Sequence, residues 1–276
     1  MTEFRPTRFE ILPLIIKNLL IINVLVFLAQ KTFEASGSIN LENLFALHHV
    51  RSPLFQPWQI ITHMFMHSTQ TFAHLLFNMF SLWMFGSILE SLWGPKRFLT
   101  FYFICGIGAA LLQLTSLWFD SRSLLSEFML FKSAPTPEGL VAFFNHYKYQ
   151  ITQPSINAFN AYLSNPADSG SMQTAVNAVN NEVNKMISHP TLGASGAISG
   201  ILAAFVYLFP NTYLYLYFFV PVKAKWLGLA YFAYELYSGI MNNEGDNIAH
   251  WAHLGGAIVG LILVFTWNKT NKKRSY

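Results

Sequence analysis

Leu192–Phe209 reads LGASGAISGILAAFVYLF, eighteen residues without a charge. A run of this length and polarity is what a membrane crossing needs. It nevertheless carries Ser195 and Ser199 among three glycines, Gly193, Gly196 and Gly200. Polar groups in lipid are costly and mark either packing or chemistry. Small residues four apart, as at Gly196 and Gly200, let helix backbones approach closely. The segment therefore predicts a membrane helix packed tightly on a neighbour, with a serine at one end of the contact.

The whole chain shares this character. Of 276 residues, 53% are hydrophobic and 11% charged, against roughly 25% charged in a soluble domain. Lipid is the solvent that such a surface requires. Six candidate spans follow, approximately Ile11–Ala29, Phe72–Trp93, Phe98–Trp118, Leu192–Phe209, Lys225–Met241 and Ile248–Trp267. The first is long, carries Lys17 and is followed by no small-residue cleavage site, which predicts a retained helix and not a removable signal peptide. The expectation is an all-α polytopic membrane protein. Its membrane domain covers 11–267, between an N-terminal segment 1–10 and a basic tail 268–276.

Charge predicts orientation. Arg5 and Arg8, Lys96 and Arg97, Lys223 and Lys225, and the tail lysines Lys269, Lys272 and Lys273 with Arg274 fall on one side if there are six spans. Glu244 and Asp246 fall on the other. Basic segments stay cytoplasmic, so both termini are expected there, in a cell (inner) membrane. The net charge of +4 sits in these flanks, which speaks for topology and against a nucleic-acid partner. The lone thiol, Cys105, cannot pair within the chain, and no cysteine cluster suggests a metal. Two stretches lie outside the spans: a first external loop, 30–71, and a polar insertion, 119–190, punctuated by Pro135, Pro137, Pro154 and Pro166. Within the insertion Glu138–Tyr149 and Met172–Ile187 read as helical. The aromatic stretch Tyr213–Phe219 reads as an interfacial belt.

The polar residues inside spans carry the functional information. They are His74 and Asn78 on the second span, Ser195 on the fourth, Glu235 on the fifth, and His250 and His253 on the sixth. Spans two, four and six run in the same direction. His74 lies near its span's start, and Asn78 one turn deeper on the same face. His253 lies about 8 Å into its span at 1.5 Å per residue. Four polar groups thus reach similar depth from one side. Gly256 and Gly260 below His253 repeat the small-residue stripe of span four, so the two helices are expected to touch. A serine becomes nucleophilic beside a base, and acyl transfer needs donors for an oxyanion. The backbone N–H of Ser195 and the side chains of His74 and Asn78 are candidate donors. His253 and His250 compete for the role of base.

Gly193-Ala194-Ser195-Gly196, Ala252-His253 followed by Gly256 and Gly260, and His74-Leu75-Leu76-Phe77-Asn78, in this order and at matching depth, resemble the rhomboid intramembrane proteases. The resemblance covers the six spans and leaves out the insertion 119–190. It implies a six-transmembrane-helix bundle with an extra extracytoplasmic insertion between helices 3 and 4. It implies a serine endopeptidase that cuts transmembrane segments of membrane proteins near the outer leaflet, with the site facing outward. Ser195 and His253 would form the dyad, and His74 and Asn78, with Gly193, the oxyanion site. No cofactor is implied; the partners are transmembrane protein substrates and the bilayer. Two positions depart from the family: Trp58 is followed by Gln59 where arginine is usual, and Ser199 stands where an aromatic commonly stacks on the base.

Other readings compete. A catalytically silent relative would bind membrane clients, but it would lack the serine or the histidine. His63, His67 and His74 have spacing compatible with a metal, yet lack a nearby acidic or cysteine ligand and are expected to bond loop backbone. Glu235 and His250 are expected to support the site: an intramembrane carboxylate is a functional candidate, here for orienting or hydrating the dyad, against the plainer role of a cavity-facing or locally paired group.

Overall fold

The computed structural model describes residues 10–147, 150–216, 219–241 and 248–273. Arg5, Arg8, Glu244, Asp246 and Arg274 lie outside them, as do Tyr217 and Phe218 of the aromatic stretch. The chain divides into two compact units, one made of 1–47, 56–115 and 191–276, the other of 48–55 and 116–190.

The first unit holds the apolar helices α1 (Leu14–Ser36), α4 (Phe72–Trp93), α10 (Ser195–Leu208), α11 (Ala224–Met241) and α12 (His250–Lys273), with α5 (Pro95–Asp120) beginning in it. Two short helices, α2 (Leu41–Phe45) and α3 (Gln59–Thr62), and a 3₁₀ turn over His63–Phe65 lie between α1 and α4. Among the described residues, four helices are long and apolar enough to cross a membrane: Leu14–Ser36, Phe72–Trp93, Pro95–Asp120 and His250–Asn268. The protein is an integral membrane protein of predominantly α-helical fold.

α10 is apolar but has only 14 residues, about 21 Å of rise where a bilayer core is about 30 Å. It begins at Ser195 itself, so the serine opens the helix instead of lying a turn inside it. Non-helical backbone at membrane depth is tolerated where protein buries it, and α10 is closely enclosed: Ala197, Ile201 and Ala204 have at most 1% exposure. Around them pack Leu82 and Leu89 of α4 and Phe98, Phe101 and Tyr102 of α5.

α1 starts after Pro13, which offers no side-chain cap. Glu90 of α4 supplies one instead. Its carboxylate accepts the backbone N–H groups of Ile15 at 2.9 Å and Ile16 at 2.8 Å. These are orphan donors at the positive end of the helix dipole, which explains how a carboxylate is buried on an apolar helix.

Between α10 and α11 the chain forms a hairpin, β1 (Tyr213–Leu216) against β2 (Val220–Lys223), with Tyr213 opposite Lys223. The alternating Tyr-Leu-Tyr-Leu run has the period of a strand, and tyrosine favours one. The described residues of the second unit form the helices α6 (Arg122–Ser133), α7 (Pro137–Tyr147), α8 (Gln153–Ser164) and α9 (Ser169–Ile187). They share a core that includes Phe128, Leu140, Phe143, Phe159, Val179 and Val183. Glu182 accepts hydrogen bonds from the hydroxyls of Thr152 and Ser155 and from the Thr152 N–H, closing the start of α8.

His63 and His67 lie in the loop between α1 and α4. Burial, reinforced at His67 by the neighbouring His74, lowers both imidazoles from 6.5 to about 4. In the unfolded chain they take up protons near 6.5. Their contribution is therefore complete above that pH and is lost as pH falls from 6.5 to 4. The unfolding midpoint in detergent should drop across this window, and His63→Gln combined with His67→Gln should flatten the drop. Glu90→Ala should lower stability by about 2 kcal/mol, read as a lower midpoint at neutral pH.

Candidate functional site

Two glycine pairs bring α10 and α12 together. A Cβ at Gly256 would fall on the Gly196 carbonyl, and one at Gly260 would lie 2.7 Å from the Gly200 oxygen. The backbones are in direct contact over two turns, a separation that only glycine permits. At the end of this contact the first residue of α10 meets the first turn of α12: Ser195 Oγ lies 2.8 Å from His253 Nε2. With Nε2 as the bare nitrogen, the hydroxyl donates to it, the arrangement of a nucleophile and its base. The Nδ1 of His250, the other candidate base, is engaged by Glu235 at 2.6 Å.

The donors gather on the other side of Ser195. His74, on the first turn of α4, accepts the Ser68 backbone N–H at Nδ1, 3.2 Å away. A neutral His74 therefore carries its proton on Nε2. That nitrogen would lie 3.0 Å from a Cβ built on Gly193, and Ser195 Oγ 3.5 Å from the same point. Gly193 has φ +124°, in the region that favours glycine, and its N–H donates to the His63 carbonyl at 2.9 Å. A side chain at 193 would fill the space between the His74 N–H and the Ser195 hydroxyl. Asn78 holds the backbone of α4 by donating Nδ2 to the His74 carbonyl at 2.8 Å, which leaves its second amide hydrogen for a ligand. Asn78, Ser195, Ser199 and Tyr231 line one cavity of about 190 Å³ with Phe77, Ser81 and Phe85. The N–H groups that open α10 have no partners within the helix and favour negative charge.

Glu235 of α11 lies beside His253, on the side of Nδ1. Its Oε2 is 2.6 Å from His250 Nδ1, and its Oε1 is 2.9 Å from His253 Nδ1. The second approach is within ion-pair distance. Glu235 and His250 are both buried, so His250 does not face water. The three residues present metal-ligand atoms within 4.8 Å of one another. Ligands around one tetrahedral zinc stand roughly 3.3 Å apart. Separations of 2.6 and 2.9 Å are those of groups that interact with each other directly.

Ser199, at the position where the motif pattern expects an aromatic, bonds the Tyr231 hydroxyl at 3.1 Å. The Tyr231 ring lies 6.4 Å from that of His253, tilted 31°. The aromatic near His253 thus comes from α11 instead of α10. Tyr231 is the site residue that sequence reasoning misses; its signal is the i, i+4 spacing to Glu235 on one helix face. Gln59 is buried and ties α3 to the carbonyls of Asn43 and Leu44, next to Trp58, whose indole donates to Leu44. His63 and His67 contact the backbone carbonyls of Gln59 and Phe65.

Comparison with known proteins adds a family model, described as the rhomboid domain, that matches residues 54–125 and 155–269. The unmatched stretch, 126–154, is shorter than the insertion read from the sequence. A mitochondrial rhomboid-like protein 12 of Arabidopsis thaliana is 26% identical over 94% of this chain and 59% of its own length. An uncharacterized mitochondrial rhomboid protein of Schizosaccharomyces pombe is 28% identical over 79% of this chain and 53% of its own. The mitochondrial rhomboid protein 1 of Saccharomyces cerevisiae is 25% identical over 75% and 41%. The chain spans about half the length of these curated relatives.

Gly256→Ala should force α10 and α12 apart and lower stability by about 3 kcal/mol. Ala230→Gly, on an exposed face of α11, should cost about 1 kcal/mol, so that unfolding midpoints of the two variants separate packing from helix propensity.

Proposed function

This chain belongs to the rhomboid family, and from that premise we propose that it is an intramembrane serine endopeptidase acting on transmembrane segments of membrane proteins. The observation that carries the reading is the 2.8 Å contact between Ser195 Oγ and His253 Nε2, beside a set of donors that faces the same hydroxyl.

The reaction begins when a substrate helix unwinds locally and offers an extended peptide bond, since an intact helix hides its carbonyls in hydrogen bonds. Ser195 attacks the carbonyl carbon while His253 Nε2 takes the hydroxyl proton. The oxyanion is held by the His74 Nε2–H, the Asn78 amide and the N–H groups at the start of α10, around the space kept free by Gly193. His253 then protonates the leaving amine. Water, activated by the same base, releases the acyl-enzyme. Substrates weakened by glycine or proline near the cut are favoured, because these residues lower the cost of unwinding.

In this reading the membrane domain covers 11–267, with segments 1–10 and 268–276 on the basic side, and α10 and α11 complete six spans with the four longer helices. The site then opens on the opposite side, near the outer leaflet. The basic side corresponds to the cytoplasm in a cell membrane and to the matrix in a mitochondrial inner membrane. The relatives' names point to mitochondria, whereas the charge pattern serves both.

The test is labelling of membrane-reconstituted protein by a fluorescent fluorophosphonate. Wild type should label, and Ser195→Ala and His253→Ala should both lose the signal. A folded wild type that stays unlabelled, where a control intramembrane serine protease labels, would instead make the chain a silent client-binding member of the family.

A further inference from the structure

We infer that Glu235 is a positioning residue for His253, so that the site works as Ser195–His253–Glu235 with His250 locking the carboxylate. The inference rests on the reading of Ser195 and His253 as nucleophile and base. It departs from the two-residue arrangement that the motif resemblance implies.

The starting point is cost. A carboxylate on a membrane helix is retained only where partners compensate its lost hydration. Glu235 is 3% exposed, and its two oxygens are divided between two imidazoles. Oε2 is bound by His250 Nδ1 at 2.6 Å, which fixes the side-chain rotamer. Oε1 is thereby held 2.9 Å from His253 Nδ1, the nitrogen that the serine does not use. That Nδ1 is buried, with no hydrogen-bond partner assigned to it among the described residues. A buried imidazole nitrogen beside a carboxylate oxygen carries its proton towards the charge, which leaves Nε2 bare to accept from Ser195.

Packing keeps α11 close enough to do this. Gly239 follows Glu235 by one turn, and a Cβ there would come within 3.3 Å of His250 Cβ and of the Trp251 ring. Tyr231 precedes Glu235 by one turn and lays its ring near His253 from the same helix face. Tyr234 packs edge-on against His250, with ring centroids 5.9 Å apart. Ring, carboxylate and glycine on successive turns of α11 therefore all address the first turn of α12.

In the reaction the Ser195 proton moves to His253 Nε2, and the imidazole becomes a cation between the serine and Glu235. The carboxylate stays ionised and accepts no proton. It stabilises the cation by charge at short range, with Oε1 2.9 Å from Nδ1. The bond to His250 prevents Glu235 from swinging away during the step.

Glu235→Gln keeps the shape but removes the charge, and its amide can donate to Nδ1 and favour the wrong tautomer. The maximal rate of labelling by an alkyl fluorophosphonate should fall roughly 10²-fold to 10⁴-fold, while the probe concentration giving half-maximal rate stays within about twofold of wild type. Glu235→Asp should recover part of the rate. A folded Glu235→Gln protein, with an unchanged unfolding midpoint, that labels within about threefold of wild type would overturn the inference. A second measurement uses the unmutated full chain, labelled with ¹⁵N-histidine in lipid nanodiscs. His253 Nδ1 should carry the proton and Nε2 should be bare; a bare Nδ1 overturns the inference whether or not the variant folds. Failure of the unmutated chain to label would reject the proposed function, and the tautomer would still decide the role of Glu235.

Discussion

The direct backbone contact between α10 and α12 is the constraint from which the rest of the site follows. Gly196 and Gly200 meet Gly256 and Gly260 with no side chain between them. In lipid, apolar side chains gain little from leaving their surroundings, so close van der Waals approach must supply the attraction between helices. Such an approach also fixes register. A slide of one residue along either helix would drive a Cβ into the opposing backbone. Ser195 and His253 stand just beyond the contact, and the glycines bring their backbones close enough for the 2.8 Å contact between the two side chains.

A common rule governs two carboxylates around this frame. Each meets donors that belong to another helix. Glu90 of α4 takes the first N–H groups of α1, and Glu235 of α11 takes imidazoles of α12. Both are carboxylates that lipid would penalise if their helices separated. They act as orientation markers: an apolar face can slide or rotate with little loss, but these contacts form in only one arrangement.

Much of this is legible in the amino-acid sequence. The eighteen-residue apolar run, the glycine spacings and the order of the polar residues are enough to bring Ser195, His253, His74 and Asn78 to one place. What escapes such a reading are features decided between elements. The start of α10 at Ser195 depends on Gly193, whose φ and bond to the His63 carbonyl come from the loop against which it lies. No side chain caps the helix at Ala194, so no local signal marks its beginning. The pairing of Glu235 with His250 needs two helices, and so does the approach of Tyr231 to His253. In the second unit α7 and α9 are readable from their residues, whereas α6 is not. Its buried Leu124, Leu125, Phe128 and Phe131 have helical spacing, but they follow the end of a long apolar run from which composition alone does not separate them.

The order of the elements along the chain has a consequence for biosynthesis. In the proposed mechanism the donors and the carboxyl support enter on α4 and α11, and the serine enters on α10. The proposed base, His253, lies on α12, the last of these helices to leave the ribosome. Until His253 has been made and docked, Ser195 is an ordinary alcohol at the end of a glycine-rich helix. A nascent chain moving through the insertion machinery, surrounded by other half-inserted helices, thus does not yet hold the proposed Ser195–His253 pair. In the proposed mechanism, activity would appear in the same event that seals the bundle.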